Sequence, residues 1–171
     1  KQKAEASGTS ENLTLHHLTS DVLPIEDATL DRIIAKNVLV YVDDPLSSFH
    51  EFRRVLKPGG KVHAIDSDFA MVAIDPVPPD DWRDLLDAAE HAFQTPNIGR
   101  KLFGLARTAG FSEVEVKVMA SPDTKGRLLN FAKNIAGYAR EARTMDDISI
   151  QRVLDIATSA LKEAVSYTHL T

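Results

Sequence analysis

The segment LDRIIAKNVLVYVDDPLSSFHEFRRVLKPGGKVHAID, residues 30–66, constrains the fold more than any other part of the chain. Its middle is a helix marked at both ends. Asp44-Pro45 supplies a capping carboxylate and then a proline at the first helical position, where no N–H is needed. Leu46, Phe49, Phe52 and Leu56 fall on one helical face, and Lys57-Pro58 stops the helix. Gly59-Gly60 are expected to turn the chain into KVHAID, residues 61–66, which alternates as a strand does. LDRIIA, residues 30–35, is a short strand before the helix, with KNVLVYV a short helix or turn between them.

The same alternation extends along the chain. Residues 1–12 are polar and helix-compatible, with Gly8 ending any helix there, and LTLHHL, residues 13–18, is a strand candidate. Asp80 and Asp81 are expected to cap a helix, WRDLLDAAEHAF, that ends before Thr95-Pro96. IGRKLFGLARTA is a further helix, stopped by Gly110. VEVKV, residues 114–118, alternates strictly and predicts a strand. Two helical patterns, RLLNFAKNIAGYAREA and SIQRVLDIATSALKEA, fill residues 127–164, with Asp146-Asp147 starting the second. Strands alternating with helices imply an α/β class with a largely parallel sheet. Ligands of such sheets sit beyond the carboxyl ends of the strands. That rule selects Thr19-Ser20-Asp21, Lys36-Asn37 and Asp66-Ser67-Asp68.

Composition narrows the chemistry. The 171 residues suffice for one domain, and a hydrophobic share of 43% with 26% charged is that of a globular protein. A balance of 20 Lys and Arg against 25 Asp and Glu argues against a nucleic-acid or anionic-membrane surface. Without cysteine, disulfides, thiolate metal sites and a cysteine nucleophile are excluded. The longest apolar stretch, residues 38–42, is too short to span a bilayer, and the first thirteen residues lack the apolar core of a signal peptide. Cytoplasmic is the default expectation. No histidine pair has metal-ligand spacing, so no metal is expected. His63, inside a strand, reads as packed rather than catalytic.

Several motifs occur together in one order. An LP turn at Leu23 is followed by an acidic loop, the strand D-R-I-I, the segment V-L-V-Y-V-D-D-P, and R-V-L-K-P-G-G-K-V. Further on stands PNIGRKLFGLARTAGFSEVEVKV, residues 96–118. This combination resembles the class I S-adenosylmethionine-dependent methyltransferases, in their small-molecule branch. The resemblance covers residues 13–118, and more loosely the helices to residue 164. It implies a partial Rossmann-like methyltransferase sheet with flanking helices and a helical C-terminal segment. It also implies S-adenosylmethionine as cofactor and a small-molecule O, N or C acceptor. No nucleic-acid or membrane partner is expected, and the oligomeric state stays open.

The site residues implied by the resemblance follow from position. Relatives bind the adenine through an Asp four residues before the Leu of the LP turn, and here that place is held by Thr19, with Ser20 beside it. A threonine hydroxyl can accept the same hydrogen bond without charge assistance, and Asp21 substitutes if the loop is shifted. Lys36, followed by Asn37, takes the place whose backbone touches the methionine part of the cofactor; a solvated strand end is the plain alternative. Leu39 lines the pocket floor or the core. Asp66 and Asp68 face the acceptor side, where carboxylates can orient an amine or hydroxyl or take its proton, or else they cap a loop. Trp82 and Phe93 form an apolar wall there or pack a helix. No catalytic residue is assigned.

The family's Gly-rich loop is not found in these residues and is expected before Lys1, and a last strand is expected after the final helix. Residues 1–164 therefore read as one truncated methyltransferase domain, inactive alone. In the family's strand order 3-2-1-4-5-7-6, strands 3 and 6 would then lack neighbours, and the chain is expected to be unstable or rearranged, with strand 3 forced beside strand 4 in any compact form. VSYTHLT, residues 165–171, is one frame of GTCTCTTATACACATCTGACG, which resembles a transposon end used as a sequencing adapter, and reads as a non-native tail. A non-catalytic methyltransferase-like scaffold is the alternative. A nicotinamide-dependent oxidoreductase would need a G-x-G-x-x-G loop and a Tyr/Lys pair that the chain does not show.

Overall fold

Two strands, β1 (Leu30–Lys36) and β2 (Leu56–Ile65), pair in parallel around the helix α1 (Pro45–Val55) that connects them. The computed structural model describes residues 13–18, 20–120, 123 and 126–167. The element thus follows the strand–helix–strand reading. Asp44 caps α1 through its side chain, accepting from the N–H groups of Leu46 at 2.9 Å and Ser47 at 3.2 Å. Pro45 opens the helix, and Leu56, one residue before the expected stop, already has the extended backbone of β2.

Lys57-Pro58-Gly59-Gly60 is an excursion inside β2 rather than a turn before it. Leu30 pairs with Leu56 but Arg32 with Lys61, so two steps along β1 answer five along β2. Gly59 takes a φ of +80°, which favours glycine. Gly60 is needed for space: a Cβ there would lie 2.9 Å from the Lys57 carbonyl oxygen and 3.2 Å from that of Leu30. Beyond the excursion the ladder is regular from Arg32 with Lys61 to Lys36 with Ile65.

One face of the sheet is covered and the other is open. Ala35 is buried and Ile33, Val62 and Ala64 pack beside it against the core. Ile34 on the opposite face is 75% exposed, and His63, its partner in register, is exposed with it. His63 is therefore not packed, contrary to the sequence expectation, because no layer covers that face among the described residues.

The remaining elements build the core on the covered side. They are α2 (Pro79–Ala88), α3 (Leu102–Thr108), α4 (Arg127–Ala142) and α5 (Asp147–Tyr167), with 3-10 turns at Phe69–Met71, Glu90–Ala92 and Ile98–Lys101. Ala132, Ile135, Ala136 and Ala139 form the buried stripe of α4, and small side chains there let α2 and α5 approach closely. Ile150, Val153, Leu154 and Ala157 answer from α5. Phe49 of α1 meets Phe52 and Phe111 edge to face, at centroid distances of 5.7 and 6.2 Å. Each large side chain buried this way contributes about 1.5–3 kcal/mol.

Two predicted strands are absent. Residues 13–18 and 114–118 have no regular structure, and Leu15 (61% exposed) and Val118 (82%) face solvent. A strand is stabilised by its neighbours rather than by its own pattern, and no ladder partner is supplied to either among the described residues. Residues 13–18 are thus not forced beside β1. Two helix boundaries also move. Asp80 and Asp81 lie in the first turn of α2, whose cap position is Pro78, and the helix ends at Ala88 rather than near Thr95. The pattern from Ile98 begins as a 3-10 turn before α3. Asp146 does start α5, accepting the Ser149 N–H at 2.9 Å. The helix continues to Tyr167, past Ala164. Residues 1–12 and 168–171 lie outside the described residues, and with them the helix expected near Gly8.

Candidate functional site

The carboxyl ends of the parallel strands come together at Lys36 and Ile65. Asn37 follows β1 with a φ of +52°, a left-handed conformation that asparagine tolerates better than most residues. Its N–H donates to the Ile65 carbonyl at 2.9 Å, extending the ladder by one bond. Asp66 then fastens the two loops: one carboxylate oxygen accepts from the Leu39 N–H at 3.0 Å, the other from the Ser67 N–H at 3.0 Å. The residues chosen at the ends of two separate strands thus form one joined edge. Leu39 itself is 1% exposed and belongs to the core.

Residues 93–99 strap this edge from the other side. Gln94 and Thr95 both donate to the Val40 carbonyl, at 3.0 and 3.1 Å. Phe69 donates to the Pro96 carbonyl at 3.0 Å and Gly99 to that of Ser67 at 3.2 Å. Gly99 packs so tightly that a Cβ would lie 3.0 Å from the Asp68 nitrogen. The loops after β1 and β2 are thereby held by one segment.

Asp68 is drawn into this structure. Its side chain is only 7% exposed, accepts from the Ala70 N–H at 3.2 Å, and pairs with Arg100, whose Nη2 donates at 2.9 Å. That pairing raises the Arg100 pKa above its ordinary value, through the hydrogen bond first and charge second. Trp82 is 4% exposed and its indole N–H donates to the Val72 carbonyl at 2.9 Å. Trp82 is thus packed among the helices, the alternative that the sequence also offered for it.

Ser20 and Asp21 do not join this edge. Leu23, two residues on, donates its N–H to Glu51 of α1 at 3.0 Å, while Ala28 and Thr29 donate to the carbonyls of Arg54 and Val55. The segment is therefore fastened toward the C-terminal end of α1, where β1 begins, and Ser20 and Asp21 are exposed. Thr19 lies outside the described residues. Ser20 and Asp21 are accordingly not assembled with Lys36 and Asn37, and a cofactor would find one edge of its site in the described residues.

Sequence reasoning missed three residues. Tyr41 was hidden in an apolar run, Tyr138 in a helical pattern, and Arg100 in a stretch whose partner is 32 positions away. Tyr41 and Tyr138 both contact Phe93, tilted and edge to face respectively, with ring centroids 5.7 and 5.8 Å from it. The Tyr41 phenol is raised above its ordinary pKa, by burial first and then by Tyr138 and Asp66. Elsewhere, a shallow recess of about 620 Å³ lies between α2 and the α4–α5 turn, lined by Asp84, Asp87, Thr144, Asp146 and Ser149 among others. Among the described residues no three His, Asp or Glu side chains converge as metal ligands, and no helix is long and apolar enough to cross a membrane.

Residues 1–64, which include both strands' pairing up to Ala64, match the family model of a methyltransferase domain. An uncharacterized methyltransferase of Schizosaccharomyces pombe is 31% identical over 103 residues, 58% of this chain and 36% of that protein. An uncharacterized protein in transposon TN4556 of Streptomyces fradiae is 34% identical over 97 residues, 53% of this chain and 26% of its own length. The chain thus spans about a quarter to a third of the length of these two relatives. Its parallel pair with flanking helices is consistent with a partial Rossmann-like methyltransferase fold.

Proposed function

We propose that this chain serves methyl transfer from S-adenosylmethionine to an oxygen, nitrogen or carbon atom of a small-molecule acceptor. One observation carries the reading: Lys36 and Asn37 lie inside the segment matched to a methyltransferase domain and also at the joined carboxyl ends of the strands. Ligands of parallel sheets occupy that position. Lys36 and Asn37 would flank the methionine part of the cofactor, with Asp66 on the acceptor side. The cofactor supplies an activated methyl group, so the residues here need mainly to align the acceptor and exclude water. The net charge of −5 disfavours nucleic acid as acceptor.

A second reading, a non-catalytic methyltransferase-like scaffold, draws on Asp66 and Asp68 both being engaged in holding loops. Calorimetric titration of S-adenosylhomocysteine separates the two. It is run on this chain and on a longer form matched to the length of the relatives. Saturable binding by either, competed by S-adenosylmethionine, is the expected result. No binding by either protein, each folded by circular dichroism, would overturn the enzyme reading and favour the scaffold.

A further inference from the structure

Tyr41 is 54% exposed although its ring rests on Phe93. Phe93 is shared: Tyr138 of α4 meets it edge to face at 5.8 Å and Phe69 at 4.8 Å. Three loops and a helix thus bring four rings to the carboxyl ends of the strands. Their mutual angles of 36°, 87° and 82° to Phe93 turn ring faces in different directions, as a flat stack would not. The bond from the Leu39 N–H to the Asp66 carboxylate fixes that carboxylate at the base of the loop that carries Tyr41. Both Asp66 and Tyr138 are near enough to act electrostatically on the Tyr41 phenol.

The charges around this corner are one-sided. Among the described residues Asp66 takes part in no ion pair, whereas Arg100, the cation brought in beside Asp68, is committed to that carboxylate. Within β1, alternation puts Lys36 on the open face with Ile34, and among the described residues it forms no ion pair with Asp66. The exposed Tyr41 ring and a carboxylate that, among the described residues, accepts only from backbone N–H groups both present negative potential. Such a surface attracts a positively charged group and repels an anion.

We infer that the corner formed by Tyr41, Phe93, Tyr138 and Asp66 binds an organic ammonium ion, and that the methyl acceptor of this protein is an amine. The second half rests on the methyl-transfer reading above; the first does not. The ammonium group lies against the exposed Tyr41 ring with Asp66 as its counter-charge, and the buried Phe93 backs that ring from the core. A neutral alcohol of the same size keeps the apolar contact and loses the charge, and a carboxylate is repelled.

The full chain with carbon-13 labelled tyrosine tests this, because its three tyrosines give separable ring signals. n-Butylammonium is titrated against n-butanol and butyrate. Ammonium is expected to shift Tyr41 and Tyr138, with the alcohol roughly five-fold weaker and butyrate silent. Tyr41→Leu and Tyr138→Leu should each weaken ammonium binding by about five-fold, and Tyr41→Phe, which keeps the ring, by less than about two-fold. Equal response to alcohol and ammonium, or no shift at Tyr41 and Tyr138 in a folded protein, would overturn the site. Ammonium binding without S-adenosylhomocysteine binding would keep the site and remove the amine acceptor with the enzyme reading. S-Adenosylhomocysteine binding without ammonium binding would remove the amine assignment alone.

Discussion

Gly60, Gly99 and Asp66 each hold a close approach that a different side chain would open. A Cβ on Gly60 would press on two backbone carbonyl oxygens, neither of which can move without disturbing the β1–β2 ladder. Gly60→Ala is expected to lower stability by about 1–3 kcal/mol, measured by denaturant unfolding; an unchanged midpoint would contradict the register irregularity described. Asp66→Ala leaves the Leu39 and Ser67 N–H groups without their acceptor. It should cost about 1–3 kcal/mol, with faster amide exchange at Leu39 as the local sign. The importance of Asp66 was legible in the sequence, since it follows a strand that could be recognised. Its bond to Leu39 was not, because nothing in KNVLVYV marks a backbone N–H in need of a partner 27 positions away. Arg100 was illegible for the same reason. Asn37 stood out by position, and its left-handed turn fits the residue type.

At the scale of elements, the strand–helix–strand unit was readable because its signals are local. Asp44, Pro45, the apolar spacing and the alternation of KVHAI each act within a few residues. VEVKV had an equally regular pattern and forms no strand, since alternation describes a half-buried surface and cannot provide the neighbour that buries it. Long-range clips were likewise invisible. Arg54 is one: it donates to the Leu23 and Ile25 carbonyls, to Asp27 and to Glu51, joining the loop before β1 to α1. Arg54→Ala should cost about 1–3 kcal/mol and speed amide exchange across residues 23–29, and protection unchanged there would refute the clip. Glu51 gives the pH dependence. Its carboxyl is held below the ordinary 4.5, by the Arg54 hydrogen bond first and also by the Leu23 N–H, with desolvation acting the other way. A depressed folded pKa adds stability that is present above the unfolded value and lost as pH falls through the lower folded one. Below pH 4.5, wild-type stability should therefore fall more steeply than that of Glu51→Gln; parallel slopes would remove Glu51 from the acid response.

Across the whole molecule, burial is uneven. The core joins α1 to the helices α2, α4 and α5, while the open face of the sheet and residues 13–18 and 114–118 contribute little. Local stability follows contact density. Hydrogen exchange should accordingly be slowest around Ile135, Ala139, Ile150 and Val153, and near the free-peptide rate at residues 13–18 and 114–118. The part of the candidate site visible in the sequence, Lys36-Asn37 and Asp66, is the part built from the two strands that pair. The part that the fold does not assemble, Ser20 and Asp21, follows the segment that finds no partner. The central claim, that a methyltransferase cofactor lies along the joined strand ends, is tested most directly by amide chemical-shift mapping of S-adenosylhomocysteine on the full chain. The predicted result is a set of shifts at Lys36, Asn37, Leu39, Asp66 and Ser67. Shifts confined to Asp84, Asp87, Asp146 and their neighbours in the helical recess would contradict it.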